Sequence, residues 1–566
     1  MSKSIIFFDA TTNLVNPNNQ EFINKNPIEI FINNEKPIDQ EITRFVTENL
    51  LHVEYTNIII PACFGGILSD FLGLRLATHI RCTSGINQTA NIFLYSFTGV
   101  QDYFSNECFN ILKTTGVGLI DYNIQSIINS TLIEKKRLST YDLINQVKKL
   151  KIDVPLNYED NHSIANEWAI YKWANTISAN DDGIAKVESN LENDLYFKYL
   201  KTLYPIYDID NLSSADLKLN FKSAPTVLYL DDEAEKGWKE IFEKIFIEEN
   251  DIDFLPFGNE LNEKAKKEVI DFSLKQVIDE NVDVVILDFR LHKEDFEDIS
   301  IQEVTGYQIL KKIKEYNKGI QVIVFSATNK IWNFKALQEA GADAFILKES
   351  PGNRNESNSC KQSILNMIHS VNACFKMIFL KDIHTNIEKI KKHLNSISNI
   401  TGNQGLSEGL MKMKFKNEIF IQLDLIFDCL KKSSEDISFE IKDENSYLNL
   451  SFISIYKIIE LINDYFTDDR GQKLKSNSIR IQRYNQKSND FSQIVEGYPS
   501  ARDKIYTIIQ FILNDEPSRY VQKINKFNKD RTNIIHPRTL KDYKKTTVEE
   551  NMRFLSLTAD ILLKIN

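Results

Sequence analysis

Five side chains with chemistry to offer stand at the ends of four apolar runs. Asp231 and Asp232 close VLYLDDE, Asp288 closes VDVVILDF, Ser326 sits in QVIVFSAT and Lys348 in GADAFILKES. Carboxylates a few ångströms apart repel one another unless a hard divalent cation lies among them, and an all-oxygen ligand set suits Mg2+. A carboxylate is also a nucleophile toward phosphorus, giving an aspartyl phosphate. The new phosphoryl oxygens then need positive charge and donors, which the metal, the Lys348 ammonium and the Ser326 hydroxyl would supply.

Such chemistry requires the four run ends to meet. The runs are too apolar for half-exposed strands, and helical patterns separate them, so they predict buried strands of a parallel sheet in an α/β unit. Ligand-handling residues in such sheets gather at the carboxyl ends of the strands. The stretch from Thr226 to about Phe375 thus resembles the receiver domains of two-component response regulators, the chemotaxis-regulator fold. The resemblance implies a (βα)5 unit in which Asp288 is the phosphoacceptor. Asp232 would bind Mg2+ directly, Asp231 through water, and the Arg290 backbone carbonyl would complete the protein ligands. Ser326 would be the switch hydroxyl, Phe345 the aromatic switch and Lys348 the phosphate-binding lysine. An acidic insert near HKEDFEDISIQE and Glu349 after the lysine depart from the pattern.

The chain of 566 residues is too long for one core, and about three domains are expected. Residues 1–122 repeat the receiver's rhythm through SIIFFD, TNIIIPA, ANIFLYSFT and GVGLIDYN. Asp9 follows the first run, Ser96 aligns with Ser326, and the third run ends in Pro61 where an acceptor would stand. This region resembles a degenerate receiver suited to docking. Residues 123–222 predict a helical extension and linker, in which Trp168, Tyr171 and Trp173 fall at core-face spacing. Residues 223–375 form the receiver, and 376–566 predict a helical bundle. His384 on a helix reads as solvent-facing or loosely packed, since no kinase signature follows it.

Near the end stands KDRTNIIHPRT. With its helical neighbours it resembles the HEPN superfamily, many of whose members are metal-independent RNases. That resemblance implies that Arg531 would grip a scissile phosphate and His536 would exchange a proton with the 2′-hydroxyl, across a homodimer. Thr532 stands where the family often has a polar Asn, Asp or His.

A net charge of −11 argues against a general nucleic-acid coat or an anionic membrane surface. No apolar run in the sequence suggests a membrane span, the first residues lack a signal-peptide layout, and no DNA-binding motif is seen. Six unpatterned cysteines suit core thiols in a reducing cytoplasm. The expected protein is a cytoplasmic response regulator of the multidomain α/β plus all-α class, phosphorylated by a separate sensor histidine kinase. The alternatives are a phosphate sink or relay acting on a second response regulator, an HEPN-type RNase effector in antiviral defence that would bind RNA, and a phosphate-independent scaffold.

Overall fold

The computed structural model describes residues 4–7, 24–25, 37–64, 70–134, 138–154, 161–206, 211–297, 299–327, 331–348, 360–398, 406–434, 444–485, 487–535 and 546–565. Asp9, Glu349 and His536 lie outside these residues.

The first α/β unit holds β1 (Ser4–Phe7), β2 (Asn24–Lys25), α1 (Ile38–Leu50), β3 (Asn57–Pro61), α2 (Leu72–Cys82), β4 (Asn91–Ser96), β5 (Val117–Asp121) and α3 (Ile124–Thr131). Its strands pair in parallel in the order β2-β1-β3-β4-β5. Side chains alternate across a strand. Ile58, Ile60, Ile92 and Leu94 therefore join α1 and α2 in one core, whereas Ile59 and Tyr95 meet Ile127 of α3 on the other face.

The helical extension runs through α4 (Thr140–Val147), α5 (Asn161–Ile177), α6 (Asp182–Asn193) and α7 (Leu195–Leu203). Helix α7 is tied to the first unit by hydrogen bonds: Lys198 Nζ lies 2.8 Å from Thr43 Oγ1, beside His79, which bonds Asp39 at 2.8 Å.

The second α/β unit comprises β6 (Thr226–Leu230), α8 (Trp238–Glu243), β7 (Asp253–Phe257), α9 (Asn259–Asn262), α10 (Lys266–Asp279), β8 (Val284–Leu287), α11 (Thr305–Tyr316), β9 (Gln321–Ser326), α12 (Ile331–Glu339), β10 (Ala344–Leu347) and α13 (Cys360–Met377). The sheet order is β10-β9-β8-β6-β7, all parallel. Helices α10 and α11 cover one face. Helices α8 and α13 cover the other, where Trp168, Ile170 and Trp173 of α5 join the same core. These tryptophans are 2% and 0% exposed, so the extension's aromatic stripe is core, as its spacing predicts.

Beyond lie α14 (Phe379–Ser398), α15 (Leu406–Ser434), α16 (Glu444–Phe466), a hairpin of β11 (Gln482–Asn485) and β12 (Asp490–Ile494), α17 (Ala501–Phe511), α18 (Val521–Ile535) and α19 (Val548–Leu562). The helices share one core, as expected of a bundle. The hairpin was not anticipated. A register shift between Arg483 and Tyr484 breaks the strand's alternation, so Ile481 and Tyr484, three residues apart, both join the bundle core, with Asn485 and Asp490 paired beside the turn. By length and composition Cys360–Ile397 could cross a membrane. Its apolar residues are divided between two cores instead, Ile364 and Met367 in the receiver's and Ile383 and Ile387 in the bundle's.

The bundle grips the receiver at the amino ends of its strands. Lys381 of α14 bonds Asp283, just before β8, at 2.7 Å, and Asn317, before β9, donates to the Lys381 carbonyl at 3.1 Å. Lys431 reaches Asp343, before β10, at 3.3 Å. His384 is 7% exposed and lies edge-on to Phe427, so it is packed rather than solvent-facing. Burial also holds its pKa below the usual imidazole range.

Candidate functional site

The carboxyl edge of the second sheet gathers the residues that the strand ends point to. Asp231 directly follows β6, Asp288 follows β8, Ser326 ends β9 and Lys348 follows β10. Oxygens of Asp231, Asp232 and Asp288 all come within 4.8 Å of one another. Lys348 Nζ lies 2.7 Å from Asp231 Oδ2 and 3.5 Å from Asp288 Oδ1, and all three side chains are fully buried.

Electrostatics divides the three acids. Burial opposes ionisation of Asp231, but Lys348, the Tyr229 hydroxyl at 2.6 Å and the Glu233 N–H at 2.8 Å outweigh it, so its pKa falls below the ordinary value. Burial, then repulsion by Asp231 and Asp288, pushes Asp232 up to about 8. Burial also pushes Asp288 up to about 7, against the pull of Lys348. Burial disfavours the Lys348 cation, yet Asp231 and Asp288 hold its pKa above the usual lysine value. Its ammonium also lies 5.1 Å from the Phe325 ring centre and 5.5 Å from that of Trp238.

The donor set fits a divalent cation. It offers hard oxygens converging on one point, three carboxyl groups able to ionise around one ammonium, and a buried Asp232 Oδ1 that accepts no hydrogen bond among the described residues. Asp231, Asp232 and Asp288 would hold the ion.

Three supports lay beyond the motif reading. The acidic insert that departs from the receiver pattern is a knot. Asp295, 1% exposed, accepts the N–H groups of Leu291 and His292 at 3.1 Å and of Thr305 at 3.0 Å, and pairs with Lys266 at 2.8 Å. It fixes the loop that carries Arg290, whose guanidinium lies over the Phe296 ring at 5.2 Å. The second support is Gly306, where an added Cβ would sit 2.5 Å from the Phe289 carbonyl oxygen and 2.7 Å from that of Asp288. Gly306→Ala should therefore displace the acceptor loop, costing about 1–3 kcal/mol in urea unfolding and weakening Mg2+ binding measured by calorimetry. The third support is Tyr229, whose hydroxyl fixes Asp231.

Phe345 is half-buried, edge-on to Phe334 of α12 at 5.1 Å. Ser326 is buried on the same edge. Far from this site, Arg531 of α18 lies over Tyr456 at 5.1 Å and 3.8 Å from Glu460. Its expected partner His536 falls outside the described residues.

The first sheet shows the same edge without the chemistry. Matching the two sheets by face puts Ile58 and Ile60 on Val285 and Leu287, and Ile92 and Leu94 on Val322 and Val324. Pro61 then falls at the place of Asp288 and Ser96 at that of Ser326. Tyr122 takes the place of Lys348: its N–H donates to the Ser96 carbonyl at 3.0 Å, as that of Lys348 donates to the Ser326 carbonyl at 2.9 Å. Acceptor and ammonium are both replaced, and Tyr122 packs on Phe97 with ring centres 3.7 Å apart.

A five-stranded parallel sheet with an acid cluster and a lysine at its carboxyl edge defines a receiver-type unit, here preceded by a second that has lost its acceptor. Comparison with family models agrees. Residues 265–356 match the response regulator receiver domain, and residues 9–120 match the inactive receiver domain. The chain thus carries one receiver domain and one inactive receiver domain, which support a two-component response regulator. No curated protein matches the chain. The receiver match begins after Asp231 and Asp232, so these two acids rest on geometry. The bundle's likeness to HEPN domains gains no support from the matches.

Proposed function

We propose that the second unit is a working receiver: Asp288 takes a phosphoryl group from the phosphohistidine of a separate sensor kinase, with Mg2+ bound beside it. An Asp288 carboxylate oxygen bonds to phosphorus as the phosphorus–nitrogen bond breaks, and the departing imidazole takes its proton from solvent. A cation held by Asp231, Asp232 and Asp288 would supply positive charge to the transferring group. Lys348, already 3.5 Å from Asp288, would turn its ammonium from the Asp288 carboxylate to a phosphoryl oxygen. The Ser326 hydroxyl would donate to another, and Phe345 would repack against α12. The observation that carries this reading is the convergence of three carboxylates and one buried lysine at the strand ends. The free cysteines suit a reducing cytoplasm.

The bundle touches the receiver at the opposite edge of the sheet, so the switch residues do not press on it directly. Helix α13 offers the route: it packs beside β9 and β10 and leads through Ile378 alone into α14. The first unit, with Pro61 and Tyr122 at the key places, would serve in docking.

The test is incubation of the full chain with acetyl phosphate and Mg2+, followed by intact mass. The wild type should gain one phosphoryl group, lost in EDTA. If the wild type gains none, and beryllofluoride with Mg2+ leaves tryptophan emission unchanged, the phosphate-independent scaffold is the better reading.

A further inference from the structure

Glu233 follows the acid pair in sequence yet stands outside the three-carboxylate cluster. Its two carboxylate oxygens are engaged elsewhere. Oε1 accepts Lys236 Nζ at 2.6 Å, and Oε2 accepts the side-chain amide of Asn166. Asn166 belongs to α5, outside the receiver, and is 1% exposed. It is pinned from its other side, because the Trp238 indole N–H donates to Asn166 Oδ1 at 2.5 Å. Trp238 is one of the two rings flanking Lys348. A neutral side chain of the helical extension thus reaches the rim of the receiver's acid cluster and fixes Glu233, an adjacent acid that the cluster does not include.

We propose that Asn166 is a positioning residue for the receiver's cation site, holding Glu233 out of the ion's coordination sphere and so lowering Mg2+ affinity. This rests on the Mg2+ reading above. A fourth carboxylate entering the sphere, directly or through water, would tighten binding, because more negative ligands raise affinity for a hard cation. Linkage makes the effect reciprocal: an ion that attracts Glu233 weakens its bond to α5. The extension would then set the Mg2+ concentration at which the receiver becomes competent, and would itself respond to the ion.

The experiment is calorimetric titration of the full chain with MgCl2, comparing wild type, Asn166→Ala, Glu233→Gln and the double variant, with thermal melts as a check on folding. Asn166→Ala should bind Mg2+ about 3–10-fold more tightly, the scale of one charge-assisted hydrogen bond released. In the Glu233→Gln background that gain should vanish, which a merely structural role of Asn166 would not produce. Asn166→Gln should stay near wild type. Asn166→Asp keeps the acceptor for Trp238 while repelling Glu233, and gives the same direction should the alanine chain unfold. A wild type that binds Mg2+ while Asn166→Ala binds it equally or more weakly overturns this proposal alone, as does a gain that survives Glu233→Gln. A wild type that binds no Mg2+ overturns it together with the receiver reading.

Discussion

Asp288→Asn should leave the chain unable to take up a phosphoryl group and, in EDTA at pH 8, more stable than the wild type. The loss follows from chemistry, since an amide oxygen is a poor nucleophile toward phosphorus and yields no stable acyl phosphate. The gain follows from the crowded carboxylates. Burial raises the Asp288 pKa from 3.8 to about 7. For an acid raised in the fold, the native state holds its proton longer than the unfolded chain does. The associated stability is complete below pH 3.8 and is lost as pH rises through about 7. Asparagine cannot ionise and escapes that loss. The difference of about 3 pH units sets an upper bound of about 4 kcal/mol, of which about 1–3 kcal/mol should survive local relaxation. Urea unfolding followed by tryptophan emission is a suitable readout, because Trp168, Trp173 and Trp238 lie in the shared core of receiver and extension. At pH 5 the gap should shrink to less than half, and below pH 3.8 the two chains should converge. Saturating Mg2+ should favour the wild type, which alone keeps the full ligand set, and close the gap. A variant that is less stable than wild type at pH 8 without metal would show that no charge is crowded at this position.

The parts of this site that were legible in the sequence share one property: each is a polar residue ending a run of buried strand. Burial forces the runs into a parallel sheet, and the sheet then brings Asp231, Asp288, Ser326 and Lys348 to one edge whatever the intervening helices do. The same logic exposed the degenerate unit, because Pro61 and Ser96 keep their register when the chemistry is gone. Tyr122 was missed because the end of β5 is set by pairing with β4 rather than by any signal of its own. Asn166 and Asp295 were illegible for another reason. Their roles depend on tertiary neighbours, and in the sequence Asn166 is one polar residue on an apolar helix and Asp295 one acid in an acidic run. The hairpin of β11 and β12 was hidden by length: two short strands between long helices carry too few alternations to stand out.

The position of the bundle also narrows how a signal leaves the receiver. Its contacts at Asp283, Asn317 and Asp343 are at the amino ends of the strands, and Gly319 packs against the Leu380 backbone so closely that an added Cβ would lie 2.2 Å from it. Contacts this tight favour rigid transmission through α13 over sliding at the interface. The α8 and α13 face is occupied by the extension. Lys335 and Glu339 on α12 remain largely exposed, so α12, next to Phe345, has a surface left for a partner.

Removing the lysine should produce the largest loss of stability. In Lys348→Met the carboxylates of Asp231 and Asp288 stay fully buried without the ammonium now 2.7 and 3.5 Å away. Breaking one side of a buried ion pair costs about 3–5 kcal/mol, mostly as the penalty of the charge left behind. Two features separate this account from simple loss of packing. First, a divalent cation can take over the neutralising role, so Mg2+ should restore part of the stability of Lys348→Met, by more than it adds to the wild type. Second, deleting one of the stranded charges should help: Lys348→Met with Asp288→Asn should be more stable than Lys348→Met alone, a coupling that a double-mutant cycle in urea measures directly. A cost below about 1 kcal/mol, or one that neither Mg2+ nor the second substitution relieves, would mean that Lys348 serves the Trp238 and Phe325 rings as a spacer rather than the acids as their counter-charge.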